Sequence, residues 1–266
     1  MKSKVMLLLV TIAVISIIAV ILNRKADTST MLDVGTLDLN ESRSSVLVEL
    51  FTSEGCSSCP PADQLLDRLE SAPGAEIIAL SEHVDYWNRL GWADPFSSSE
   101  FSARQSRYAR AFNLDSIYTP QMVVDGQREF VGSNAAAARS AIEAAARAPK
   151  ASIRILPGPV EGDSLPLDIR IENLPRVSSG DTAEVLLAIT ESGLQSNVTR
   201  GENSGRRLSH TAVARKLEPL GEAASRISAQ VRLEKGWKRD NLRAVVFIQE
   251  RDSRRVIGAA SVRLGS

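Results

Sequence analysis

The chain has 266 residues, enough for one or two domains, with 43% hydrophobic and 24% charged residues. Lys+Arg and Asp+Glu stand at 32 each, so the net charge is zero. That balance argues against an extended basic surface for nucleic acid. With two cysteines in total, Cys56 and Cys59, a disulfide framework is excluded and a single C-x-x-C pair remains.

Lys2 and Lys4 precede an apolar run over residues 5–22, and Arg24 and Lys25 follow it. The run is long enough to cross a bilayer and lacks a small-x-small cleavage signal. Residues 1–25 are therefore expected to be a signal anchor in the inner membrane, with a cleaved signal peptide as the alternative. Either places the rest of the chain outside the cytoplasm, in the periplasm, where a disulfide persists. Residues 26–44, rich in Asp, Thr, Ser and Asn, read as a linker.

Residues 46–51 form an apolar, strand-forming run that ends at Thr52-Ser-Glu-Gly. Cys56-Ser-Ser-Cys59 follows. Pro60-Pro61 then suits the first turn of a helix carrying Leu65, Leu66 and Leu69, which Pro73-Gly74 stops. Residues 77–80 read as a second buried strand leading to His83, Asp85 and Trp87, and 99–113 as a helix with Phe101, Tyr108, Ala109 and Phe112 among charges. Thr119-Pro120 precedes a hairpin with Asp125-Gly126 as its turn and 128–131 as its return strand. Asn134 caps an alanine-rich helix that Pro149 ends.

Beyond Lys150 the texture becomes alternating, with strands expected at 152–155, 165–171, 185–189, 208–216, 227–233, 242–248 and 256–264. The expected fold is an α/β domain over 45–149, a mixed sheet flanked by helices, followed by an all-β immunoglobulin-like antiparallel sandwich over 150–266.

The chemistry is expected at Cys56 and Cys59. A cysteine pair between a buried strand and a helix start meets unpaired N–H groups and a positive partial charge, and both favour thiolate. Cys56, expected to be the more exposed, is the candidate nucleophile. Cys59 is the resolving thiol. Pro120 is expected to be cis and to face the pair, with the backbone of Thr119 open to an extended peptide. Glu54, His83 and Asp85 are candidate auxiliaries. His83 would act as a base or bias the thiolate, and Glu54 would raise a neighbouring thiol pKa. The alternatives are a fixed brace, or a metal pair completed by outside ligands. Structural zinc normally takes four ligands, so no metal and no cofactor is expected. A loop at Gly201-Glu202-Asn203-Ser204-Gly205, followed by Arg206, Arg207 and His210, reads as a solvated hairpin rim, or as a contact for an anion or partner.

Four segments together resemble the DUF1223 family of secreted proteins: 46–61 with its C-x-x-C, Ser81-Glu-His-Val-Asp-Tyr-Trp, Tyr118-Thr-Pro-Gln-Met-Val-Val-Asp-Gly, and Gly201-Glu-Asn-Ser-Gly. The resemblance covers about residues 45–265. It implies a thioredoxin-like first half, with Cys56 and Cys59 on a redox pair and Pro120 on the cis-proline. Gly55 where an aromatic residue is usual, Pro60-Pro61 and the long 87–116 segment depart from that pattern. The function expected is extracytoplasmic thiol–disulfide exchange with exported protein thiols or disulfides, or with another periplasmic partner. A non-catalytic binding or assembly module with a structural disulfide is the alternative, and a thiol-dependent peroxide- or metal-handling protein ranks last.

Overall fold

The computed structural model describes residues 44–73 and 76–265. The expected anchor at 5–22, nearly all of the linker and Gly74 lie outside these residues. No described helix is long and apolar enough to cross a membrane.

Strand β1 (Val46–Thr52) is buried throughout and pairs in parallel with β2 (Ile77–His83), from Val46 opposite Ile77 to Thr52 opposite His83. Helix α1 (Pro60–Glu70) makes the crossover. Full pairing with β1 extends β2 beyond its apolar residues to include Glu82 and His83. Helix α2 (Ser99–Ala111) starts at Ser98, whose side chain accepts the Glu100 N–H. Strands β3 (Gln121–Val124) and β4 (Arg128–Val131) form the expected hairpin, with positive φ at both Asp125 and Gly126. Asn134 caps α3 (Ala135–Ala145) through the Ala137 N–H.

The later strands are β5 (Ser152–Pro157), β6 (Ser164–Glu172), β7 (Ala183–Glu191), β8 (Leu194–Asn197), β9 (Arg207–His210), β10 (Val213–Glu222), β11 (Arg226–Arg232), β12 (Leu242–Glu250) and β13 (Val256–Arg263). Ala212, at φ 49°, breaks the single strand expected over 208–216 into β9 and β10.

The fold class differs from the expected one. The described chain is not an α/β thioredoxin-like domain followed by an immunoglobulin-like sandwich. It is mostly β, built on one eight-stranded mixed sheet in the order β13-β12-β7-β10-β2-β1-β3-β4. The physical reason lies at the open edge of β2, where β10 adds in parallel through Val213 opposite Ser81, and the Ser81 N–H donates to the Ala212 carbonyl at 2.8 Å. Strands from both halves of the sequence thus share one sheet. A cluster of Leu47, Ile78, Leu80, Leu186, Ala188, Val245 and Phe247 carries the apolar layer across this junction.

Elsewhere α1 and α3 cover β1 and β3 through Leu65, Leu66, Ala138 and Ile142, which pack on Val46, Val48, Leu50 and Met122. A second sheet, β11-β6-β5, presents Leu165, Leu167, Ile169 and Ile171 from alternate positions of β6. They pack on Val185, Leu187 and Ile189 of β7 and on Ala244, Val246 and Ile248 of β12. Strands β8 and β9 form a separate two-stranded hairpin.

Candidate functional site

Strand β1 leads into the turn at Ser53–Cys56, closed by the Cys56 N–H donating to the Ser53 carbonyl at 3.1 Å. Cys59 is the residue before the first turn of α1, and its carbonyl accepts the Ala62 and Asp63 N–H groups. This geometry brings the two Cα atoms to 5.5 Å, and Cys56 and Cys59 are joined as a disulfide. Ser57 and Ser58 between them are exposed, whereas both cysteines are 0% exposed. Cys56 is therefore no more open than Cys59, contrary to expectation, and the reason comes from a distant part of the chain.

The β8–β9 hairpin carries the 198–206 loop onto the cysteine turn. Asn203, itself fully buried, donates from Nδ2 to the carbonyls of Glu54 and Cys56, each at 2.9 Å. Arg206 Nη1 in turn donates to Asn203 Oδ1. Glu202 Oε2 accepts both the N–H and the hydroxyl of Ser57, at 3.0 and 2.7 Å. These two bonds hold the Glu202 carboxyl below its ordinary pKa. Positive φ at Gly201 and Gly205 allows the tight excursion of the loop. Gly201 also lies against Trp92, within 3.3 Å of its Cβ for a methyl built at the glycine.

Behind the turn lies a buried acid–imidazole cluster. Glu54 Oε1 bonds His210 Nε2 at 2.9 Å, and Glu54 Oε2 accepts from Trp92 Nε1 at 2.8 Å. His83 Nδ1 bonds Asp94 Oδ2 at 2.7 Å, and that oxygen also accepts the Glu54 N–H. The two imidazoles meet edge to face at 4.8 Å, and Phe96 packs against both. Burial alone would lower the His83 pKa, but Asp94, together with Asp63 and Glu54, reverses that and raises it. Burial alone would raise Asp94, but His83 and the backbone N–H groups of Glu54 and Phe96 take it below its ordinary value. Asp63, one turn into α1 from Cys59, accepts from Thr52 Oγ1 at 2.8 Å. Loss of hydration raises its pKa, against the pull of His83 and His210. Among the described residues no group of three or more His, Cys, Asp and Glu is placed to hold a metal ion.

The other expected residues divide. The Thr119–Pro120 peptide is cis. Thr119 Oγ1 accepts from Trp87 Nε1 at 2.8 Å, and Trp87 abuts Gly55, directly before Cys56. Trp87 thus links the proline loop to the cysteine turn. A methyl built on Gly132 would lie 3.1 Å from both Ala62 Cβ and Pro120 Cβ, so this loop also closes against α1. Glu54 and His83 belong to the cluster behind the turn. Asp85 is engaged elsewhere, because Ser102 on α2 donates to its carboxylate at 2.5 Å. Asp63 and Asp94 were not anticipated, and neither was a contact between Asn203 and the cysteines. The i, i+4 spacing of Cys59 and Asp63 and the two glycines bracketing Glu202–Ser204 were the signals available.

Fold and site together define a class: a mixed-sheet protein whose disulfide closes a C-x-x-C turn at a helix start, clamped by a late hairpin loop. The family model described as "Protein of unknown function (DUF1223)" matches residues 47–249, and the chain belongs to that family. Protein AGR_C_4864 from Agrobacterium tumefaciens is 26% identical, with a TM-score of 0.63 over 83% of this chain and 94% of that one. HBP35 of Porphyromonas gingivalis shares the fold at 13% identity, with a TM-score of 0.57 over 84% of this chain and 76% of that one. The search of curated proteins found no match.

Proposed function

We propose that the protein is an extracytoplasmic thiol–disulfide oxidoreductase that exchanges disulfides with exported proteins through Cys56 and Cys59. One observation carries the reading: the pair is closed as a disulfide at the first turn of α1, beneath an exposed Ser57–Ser58 turn. On reduction, the partial positive charge of that helix end favours a thiolate, the attacking species in exchange. Cys56 attacks a partner disulfide and forms a mixed disulfide. Cys59 then displaces the partner and restores the internal bond. Thr119 and Pro120 line the approach beside Trp87. The apolar run at 5–22 tethers the domain to the inner membrane, or is cleaved to release it into the periplasm.

Alkylation of the reduced full chain tests this. A Cys56 thiol that reacts well below pH 8, with turnover of a small disulfide, is the expected result. Reaction only near an ordinary thiol pKa, without turnover, overturns it. Replacing Cys59 with Ser in cells should leave the partner covalently joined to Cys56 for identification.

A second reading is favoured by the burial of both cysteines and by the bond from Asn203 to the Cys56 carbonyl. There the disulfide is a fixed brace in a binding or assembly module. The Cys56→Ser, Cys59→Ser variant would then keep its biological role and unfold more easily. For so short a loop, chain entropy sets the loss at about 2 kcal/mol.

A further inference from the structure

Glu202 sits directly on the cysteine turn. One carboxylate oxygen accepts both the N–H and the hydroxyl of Ser57, the residue after Cys56. Bond lengths alone put that oxygen within roughly 8 Å of Cys56 Sγ. The side chain is exposed, so an approaching partner meets its charge, and its bonds to Ser57 favour the ionised form. Three other carboxylates lie near this turn: Glu54 is buried and engaged by His210 and Trp92, Asp94 is buried and engaged by His83 and the Glu54 N–H, and Asp63 is engaged by Thr52. Arg206 brings a cation into the loop, but its contact is with Asn203, not with the cysteine turn.

We propose that Glu202 is a specificity-determining residue, selecting cationic and neutral disulfide partners over anionic ones. The proposal rests on the exchange reading of Cys56 and Cys59. In the first step the Cys56 thiolate attacks one partner sulfur. A Cys56–S bond forms, the partner S–S bond breaks, and the leaving thiolate takes a proton from water. Cys59 then loses its proton to water and attacks Cys56 Sγ, which releases the second partner thiolate. The enzyme dithiol is oxidised and the partner disulfide becomes two thiols. Throughout the attack a negative charge is spread over three sulfurs beside Glu202. A partner with carboxylates next to its sulfurs adds to the repulsion, and one with ammonium groups relieves it. The substrate class favoured is thus a peptide disulfide flanked by Lys or Arg, and a small anionic disulfide is disfavoured.

The test uses the reduced full chain, freed of reductant, with three small disulfides: cystamine (cationic), hydroxyethyl disulfide (neutral) and dithiodipropionate (anionic). One unit of charge at this separation changes a rate about threefold in water at low ionic strength. Wild type should rank cation over neutral over anion. Glu202→Gln keeps an acceptor for Ser57 and removes the charge, so the cation-to-anion rate ratio should fall about tenfold. Added salt should shrink the wild-type ratio toward that of the variant. Equal ratios in the two proteins overturn the role of Glu202 and leave the exchange reading intact. No reaction with any of the three overturns both. Alkylation supplies a second measurement without exchange: the iodoacetamide-to-iodoacetate ratio at Cys56 should narrow in Glu202→Gln, and an unchanged ratio counts against the proposal.

Discussion

Asn203 shows how a single side chain can close a site. Its Nδ2 satisfies the carbonyls of Glu54 and Cys56, and its Oδ1 receives Arg206. Truncation leaves buried acceptors without a donor, at about 1–3 kcal/mol each. Asn203→Ala should therefore lower unfolding stability by about 2–4 kcal/mol in urea titrations, and the disulfide should be reduced faster. His83 makes a pH prediction with a definite sign. Its folded pKa lies above its ordinary 6.5, so its pairing with Asp94 stabilises the fold fully below that value. The contribution fades as pH rises through the folded value. Melting temperatures followed upward from pH 6 should fall more steeply in wild type than in His83→Asn. Equal slopes would remove His83 as the titrating group. Both cysteines and the candidacy of Glu54 and His83 were legible from their place after buried strands. Asn203, Asp94 and His210 were not legible as partners of that turn, because polar loop residues carry no period that reveals what they will touch.

Helix α2 is fastened by an ionic contact that propensity does not foresee. Arg104 is fully buried and donates from Nε to Glu49 at 2.6 Å and from Nη1 to Gln249 at 3.1 Å. It also lies 3.3 Å from Glu82, close enough for ion pairing but out of hydrogen-bond alignment. Burial, reinforced by Glu49, pushes the Glu82 carboxyl well above its usual range. Arg104→Met strands the Glu49 charge in the interior, and chemical denaturation should show a loss of about 3–5 kcal/mol. The β3–β4 hairpin makes a comparable demand on backbone. Gly126, at φ +66°, lies so close to the Arg254 carbonyl that an added methyl would sit 1.8 Å from its oxygen. Gly126→Ala should cost about 3 kcal/mol, measured the same way, since a backbone oxygen cannot rotate aside. The hairpin itself was legible from Asp125-Gly126. Its docking on the segment before β13 was not, because the sequence marks the turn but not the surface it meets.

At the scale of the molecule, strands were legible one by one and their order in the sheet was not. Alternation in β6, an apolar run in β1 interrupted only by Glu49, and unbroken apolar runs within β7 and β12 identify strands and faces. The pairing of β10 with β2 is a long-range event with no local signature, and it joins what read as two architectures into one sheet. Separate fragments 44–150 and 151–265 should accordingly fail to fold alone. Each would expose its share of the Leu47–Phe247 layer, and the first would lose the partner strand of β2. Circular dichroism and NMR of each fragment, alone and mixed, check this. A well-dispersed spectrum from residues 44–150 alone would refute it.

The clamp on the cysteine turn also sets an order of events during synthesis. Cys56 leaves the ribosome 147 residues ahead of Asn203, an interval of roughly 7–30 seconds at ordinary translation speeds. Through that interval the nascent thiols stand uncovered. Oxidation is then open to any cellular oxidant, whereas after the late hairpin has docked, a partner must reach the same bond past Asn203.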